Sequence, residues 1–165
     1  MKKTFLKISI LFFALAFVTS CSSDDDGPAE AAQVKFRTTI GGQNVRTDDV
    51  GGILSNNGGR LSIVAITDVG TITITVGSVA TDAPAITDRT YVIDDTNTAT
   101  ISLNTGSETY NSNADVGGEI IITSIDLTQN TVFGSFTTTL VNTIDSEDTL
   151  TVTNSALFNV GFTVQ

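Results

Sequence analysis

Thr71-Ile72-Thr73-Ile74-Thr75-Val76 alternates hydroxyl and apolar side chains without a break. In an extended chain successive side chains point to opposite faces, so Ile72, Ile74 and Val76 share one face and the threonines the other. One apolar face and one hydroxyl face mark a strand packed on one side and wetted on the other, as in antiparallel sheets. The same period extends outward. Ala99, Ile101 and Leu103 show it, as do Ile121, Thr123, Ile125 and Leu127. Phe136, Thr138 and Leu140 share a face, then Leu150 and Val152, then Phe158, Val160, Phe162 and Val164.

Turn residues punctuate these runs. Gly41-Gly42 separates 34–40 from 43–47, and Asn56-Asn57-Gly58-Gly59 precedes 60–67. Asp68-Val69-Gly70, Asn104-Thr105-Gly106, Gly117-Gly118, Gln129-Asn130 and Asp145-Ser146-Glu147-Asp148 supply further breaks. The chain has 28 Thr and 14 Gly against 2 Pro, a composition that favours strands joined by tight turns. No stretch after residue 33 reads as a helix, and the paired glycines recur at no fixed period. The expected fold is all-β: a single antiparallel β-sandwich or barrel of about eight to ten strands over residues 34–165. With one lysine beyond residue 33, its sheet edges must be short, twisted, closed or guarded by Asp. Phe36, Phe136, Phe158 and Phe162 are expected in one core, and the domain to fold without metal or cofactor.

The first 20 residues read differently. Lys2, Lys3 and Lys7 precede an apolar run, Ile8 to Val18, broken only by Ser9. That run is well short of the ~20 residues a membrane-spanning helix needs. A basic start, a short apolar centre and small residues after it describe a secretory signal peptide. The segment ends Val18-Thr19-Ser20-Cys21, which resembles the bacterial lipobox, with Val and Ser where Leu and Gly or Ala are commonest. The resemblance implies removal of residues 1–20 and acylation of Cys21, the only cysteine. Several acyl chains, at ~0.8 kcal/mol per buried CH₂, make a lasting anchor.

Ser22-Ser23-Asp24-Asp25-Asp26 follows and resembles the acidic export signal of surface lipoproteins in Bacteroidota. The plainer alternative is a solvated acidic spacer. Residues 21–33 then form the acylated Cys and a tether, which at ~3.3–3.6 Å per residue spans up to roughly 40 Å. The full chain has 8 Lys+Arg and 18 Asp+Glu, a net charge of −10 that becomes −13 once Lys2, Lys3 and Lys7 are removed. Such a surface repels phosphate backbones and anionic headgroups. Nucleic acid is therefore not an expected partner, and the lipid on Cys21 is the expected membrane contact. The expected location is the outer membrane, at the cell surface.

Several stretches together resemble a family of small uncharacterised Bacteroidota lipoproteins, an all-β domain of unknown function. They are Phe36-Arg37-Thr38-Thr39-Ile40-Gly41-Gly42-Gln43-Asn44-Val45-Arg46-Thr47, Val132-Phe133-Gly134-Ser135-Phe136-Thr137, and Val152-Thr153-Asn154-Ser155-Ala156-Leu157-Phe158-Asn159-Val160. Val45 stands where the family often has an aromatic. The resemblance implies one sandwich or barrel domain on a lipid anchor, and no catalytic residues.

The residues themselves offer little chemistry. The chain has no His, which excludes Ser-His-Asp and Cys-His arrangements and imidazole zinc sites. Acidic groups (Asp48-Asp49, Asp94-Asp95, Glu108, Glu119 and 145–148) fall mostly in turns, where solvated carboxylates are ordinary. Asn111-Ser112-Asn113-Ala114-Asp115-Val116-Gly117 resembles the start of a calcium loop, but its twelfth position is Ile122 where a bidentate Glu is needed. Arg37, Arg46, Arg60 and Arg89 either pair with surplus acids or hold an anionic ligand. Tyr91 and Tyr110 read as core aromatics with the hydroxyl at the rim. No catalytic, metal or cofactor site is expected. The expected function is a non-catalytic contact with an envelope protein or glycan; the alternative is a small-ligand binder that uses a barrel interior or a sandwich end.

Overall fold

A computed structural model describes residues 33–55, 57–80, 82–96 and 98–165. The signal segment, Cys21, the export run Ser22–Asp26 and the tether up to residue 32 lie outside the described residues. Eleven strands form one sheet, with no helix among the described residues. They are β1 (Phe36–Ile40), β2 (Gln43–Thr47), β3 (Val50–Ser55), β4 (Arg60–Thr67), β5 (Gly70–Gly77), β6 (Thr90–Val92), β7 (Ala99–Asn104), β8 (Thr109–Asn111), β9 (Gly118–Asp126), β10 (Thr131–Asn142) and β11 (Thr149–Val164). Periodicity predicts eight to ten. The surplus comes from β6 and β8, three residues each and too short to show a period.

The strand order is β2-β1-β11-β3-β4-β5-β7-β8-β10-β9-β6, and β10 also pairs with β11. The pairings therefore run in a closed circuit from β11 through β3, β4, β5, β7, β8 and β10 back to β11. The β1–β2 hairpin hangs on β11, and β9 with β6 hangs on β10. The sheet is not wholly antiparallel as expected: Phe162–Val164 of β11 runs parallel to Gly52–Leu54 of β3. β3 takes its direction from its hairpin with β4, and the tail of β11 meets it from the same side. Gly52 permits the approach, because a Cβ there would lie 3.1 Å from Phe162 Cβ and 3.2 Å from the Ser62 carbonyl oxygen.

The uncovered edges follow the sequence expectation. The order ends on β2 and β6, five and three residues long, followed by Asp48-Asp49 and Asp94-Asp95. Short edges flanked by charge resist pairing with another chain. The β1–β2 turn is Gly41-Gly42, with φ of +54° and +84°. Two successive positive φ values are what a two-residue type I′ hairpin turn requires, and they match the strand twist.

The apolar faces read from β5, β7 and β10 are buried as expected: Ile72, Ile74, Val76, Ala99, Ile101, Leu103, Phe136 and Leu140. Two other faces are corrected. In β9 the inward residues are Ile120 and Ile122, not Ile121 and Thr123. Phe133 pairs with Ser124 and Gly134 with Ile122, so Thr123 is an extra residue that shifts the phase. After it, Ile125 packs against the core. Three consecutive isoleucines make either phase look apolar, so the sequence pattern cannot choose between them.

β11 departs further. From Val152 to Leu157 it advances five positions while β10 advances four, from Thr138 to Gly134. From Leu157 to Val160 it advances three against two. Asn154 and Asn159, both at φ +51°, lie in these two stretches. Asn tolerates this left-handed backbone better than other residues with a Cβ. Each extra residue inverts the face, so the inward set is Val152, Leu157, Val160 and Phe162. Phe158 is thereby removed from the core. Its half-buried ring stands edge-on to Phe133, with centroids 5.2 Å apart and planes at 82°. Phe36, Phe136 and Phe162 are buried at 0%, 3% and 6% exposure, with Phe36 and Phe136 centroids 5.8 Å apart.

Two outcomes follow from this register. Phe162→Ala is expected to cost about 3–5 kcal/mol in urea unfolding and Phe158→Ala about 1–2 kcal/mol; equal losses would contradict the register. Asn159→Gly should leave the unfolding midpoint unchanged or slightly raised, whereas Asn159→Val should cost about 1–2 kcal/mol, because a β-branched residue is strained at positive φ.

Candidate functional site

Alternation in β1 sends Phe36, Thr38 and Ile40 inward and leaves Arg37 and Thr39 on the outer face. The register with β2 sets Arg37 directly opposite Arg46 and Thr39 opposite Asn44. Directly opposed residues on one face place their Cβ atoms about 4.5–5.5 Å apart, so two guanidinium groups share one small area. Like charges in that position destabilise a hairpin. Lys35, one residue before β1, is also exposed.

A cleft of about 420 Å³ opens beside the arginines, lined by Arg37, Thr39, Asn44, Arg46, Asn154 and Ser155 among others. The Thr39 hydroxyl donates to Asn44 Oδ1 at 3.2 Å, which orients the Asn44 amide nitrogen as a free-standing donor group. Behind them, the buried Thr38 hydroxyl is 3.2 Å from the Thr153 carbonyl and 3.0 Å from Ser155 Oγ. A second cleft of about 130 Å³ lies against the same two arginines and is closed by Val34, Ala156 and Phe158. A third concavity, about 610 Å³, lies over β5, β7 and β8 and is lined by uncharged groups including Thr71, Thr73, Ser102 and Asn111.

Several other residues singled out in the sequence serve the fold. Asp94 Oδ1 accepts from the Thr96 backbone N–H and hydroxyl, and these bonds hold its carboxyl below the usual aspartate value. Asn113 Oδ1 accepts from the Val116 N–H at 3.1 Å, and Ser112 Oγ from the Ile101 N–H at 2.8 Å. Two oxygens of the calcium-like loop thus satisfy backbone. Among the described residues no three His, Cys, Asp or Glu side chains are grouped to hold a metal ion. Arg89 lies 4.5 Å above the Tyr91 ring, a cation–π contact. Tyr91 is buried, and its hydroxyl bonds to the Thr87 backbone, accepting at 3.0 Å and donating at 3.1 Å.

Tyr110 and Asp148 form a lock between β8 and the β10–β11 turn. The Tyr110 hydroxyl donates to Asp148 Oδ2 at 2.7 Å, with Glu108 Oε2 at 3.0 Å as a second acceptor. Asn142 Nδ2 also donates to Asp148 Oδ2, at 3.0 Å. The bond to Asp148, with burial and Glu108 adding to it, pushes the Tyr110 hydroxyl up to about 12. The bonds from Tyr110 and then Asn142 lower the Asp148 carboxyl. A raised tyrosine stabilises fully below its unfolded value of about 10 and loses that contribution as pH rises through the folded value. A lowered aspartate stabilises above its unfolded value of about 3.9 and loses that as pH falls through the folded value. The urea midpoint of Tyr110→Phe should therefore fall below the parent by a constant amount between about pH 5 and 9, and the gap should narrow at both extremes. No gap at any pH would mean that the ring alone matters, and a gap that does not change with pH would mean that the hydroxyl acts without the ionised Asp148.

Sequence reading nominated the four arginines but could not see that two of them face each other, since that depends on the hairpin register. It also missed Asn44, Asn154 and Ser155, whose place in the cleft is set by the β11 irregularity. No curated protein and no solved structure matches the chain. A family model described as a domain of unknown function, DUF6252, matches residues 33–161. That span holds ten of the strands whole and nearly all of β11, including both arginines of the cleft, and the chain belongs to the DUF6252 family.

Proposed function

We propose that the chain is a Bacteroidota lipoprotein, anchored in the outer membrane by the acylated Cys21 and exposed at the cell surface, whose domain acts by binding and not by catalysis. Residues 1–20 are the cleaved signal peptide, Ser22, Ser23, Asp24, Asp25 and Asp26 direct export, and residues up to 33 are the tether. The partner is an envelope protein or glycan, and nucleic acid is not bound.

The observation that carries the binding role is where the concavities lie. The inward positions of the strands are occupied by packed apolar side chains such as Leu61, Ile63, Ile101, Ile120 and Leu140. The two larger clefts described above open on the outer face and are lined largely by polar groups. This supports contact through the outer surface over the alternative of a ligand carried in the interior. Ile53, Val64 and Ile66 on the outer face of β3 and β4 add an exposed apolar strip of the kind that interaction surfaces use. The closed circuit of pairings favours the barrel over the sandwich form.

Labelling with an alkyne fatty acid should tag the parent but not Cys21→Ala. Proteinase added to intact cells should digest the parent, while replacing Asp24, Asp25 and Asp26 with Ala should protect it. Equal labelling of Cys21→Ala would reject the anchor, and a parent shielded in intact cells would reject surface exposure.

A further inference from the structure

We propose that the Arg37–Arg46 cleft is the binding site and that its ligand is an acidic saccharide, with the sugar carboxylate held by the guanidinium pair. The assignment rests on the reading of the chain as a surface-exposed binding domain and names its ligand class.

Charge distribution comes first. Beyond residue 33 the chain has five cationic side chains, Lys35, Arg37, Arg46, Arg60 and Arg89, in a strongly acidic background. Arg37 and Arg46 face each other across one hairpin, and Lys35 lies one residue before its first strand. Arg37 and Arg46 have no ion-pair partner among the described residues. Opposed arginines with no carboxylate partner among the described residues repel each other, and such violations mark functional positions. An anion between them converts the repulsion into two charge-assisted hydrogen-bonding groups, and the planar guanidinium matches a carboxylate.

The flanks decide the class of anion. On one side Thr39, Asn44, Asn154 and Ser155 offer hydroxyl and amide groups that exchange hydrogen bonds with ring hydroxyls. On the other, Val34, Ala156 and Phe158 offer a small apolar surface for the C–H face of a sugar ring. The displacement of Phe158 from the core places it there. A free phosphate or sulfate would use the arginines and leave both flanks idle. An acidic peptide would add its backbone along the uncovered edge of β2, whereas the cleft itself presents one concentrated cationic pair bordered by side-chain hydroxyls and amides.

The test uses the full chain purified from membranes in a non-ionic detergent, titrated calorimetrically with tetragalacturonate, neutral maltotetraose and a tetraglutamate peptide. Tetragalacturonate should bind saturably and weaken with added salt. Its affinity should fall by about tenfold or more in Arg37→Gln and in Arg46→Gln, as expected for losing a charge-assisted bond. Phe158→Leu should weaken tetragalacturonate without changing the response to inorganic sulfate. At low ionic strength both Arg→Gln variants should melt at the parent temperature or above it, because the repulsion is gone. That result separates lost binding from lost folding. Absence of saturable tetragalacturonate binding, undiminished binding in both arginine variants, or equal binding of tetraglutamate would overturn the assignment. Any of these with surface proteolysis intact would leave the lipoprotein reading standing; a shielded parent that still binds tetragalacturonate would do the reverse.

Discussion

The pairing of β10 with β11 is the constraint on which the other pairings depend. These are the two longest strands, 12 and 16 residues, and each changes partner along its other edge. β10 passes from β9 to β8, and β11 from β1 to β3. Without their mutual pairing the circuit would open into a sheet with two long bare edges, which water must solvate or another chain must cover. The inward faces of both strands carry Val132, Phe136, Leu140, Val152, Leu157, Val160 and Phe162 into one core, so the same hairpin closes the backbone circuit and fills the space inside it.

Two extra residues in β11 reconcile a long strand with that closure. A strand that serves two neighbours on one edge must bend, and bulges supply bend and twist at the cost of a local break in pairing. Asn154 and Asn159 lie in the two stretches and carry the positive φ. The consequence reaches the surface. The irregularity near Asn154 places Asn154 and Ser155 beside the β1–β2 hairpin, where they line the arginine cleft. The one near Asn159 turns Phe158 outward against Phe133 and into the smaller cleft. The device that closes the sheet thus also shapes the outer face beside Arg37 and Arg46.

Polar groups taken inside are satisfied. Thr38, Thr138 and Asn142 are buried, and each is hydrogen-bonded: Thr38 to Thr153 and Ser155, Thr138 to the Gly117 carbonyl, and Asn142 to Asp148. Among the described residues no buried side-chain nitrogen or oxygen lacks a partner. Burying such groups unpaired would cost more than the bonds return, so their positions are tied to register. The acidic loop residues follow the same logic: Asp94, Asp126 and Asp145 accept from backbone N–H groups two or three residues on. The surplus of carboxylates in this chain is in part the chemistry of its turns.

Local physics was legible in the residues themselves. Period-two alternation places Ile72, Ile74 and Val76 on one face whatever their neighbours, because side-chain direction in a strand is set by the backbone. Gly41-Gly42 marks its turn because few other residues accept two positive φ values in succession. Tertiary structure alone decided what depends on partners. The inward phase of Ile120-Ile121-Ile122 and the outward turn of Phe158 follow from unpaired residues in β9 and β11, and a bulge inverts the period without altering the residues that show it. The parallel contact of β11 with β3 and the meeting of Arg37 with Arg46 arise between strands whose register a linear pattern does not encode. Alternation assigns each residue a side of its own strand; only pairing assigns it a neighbour.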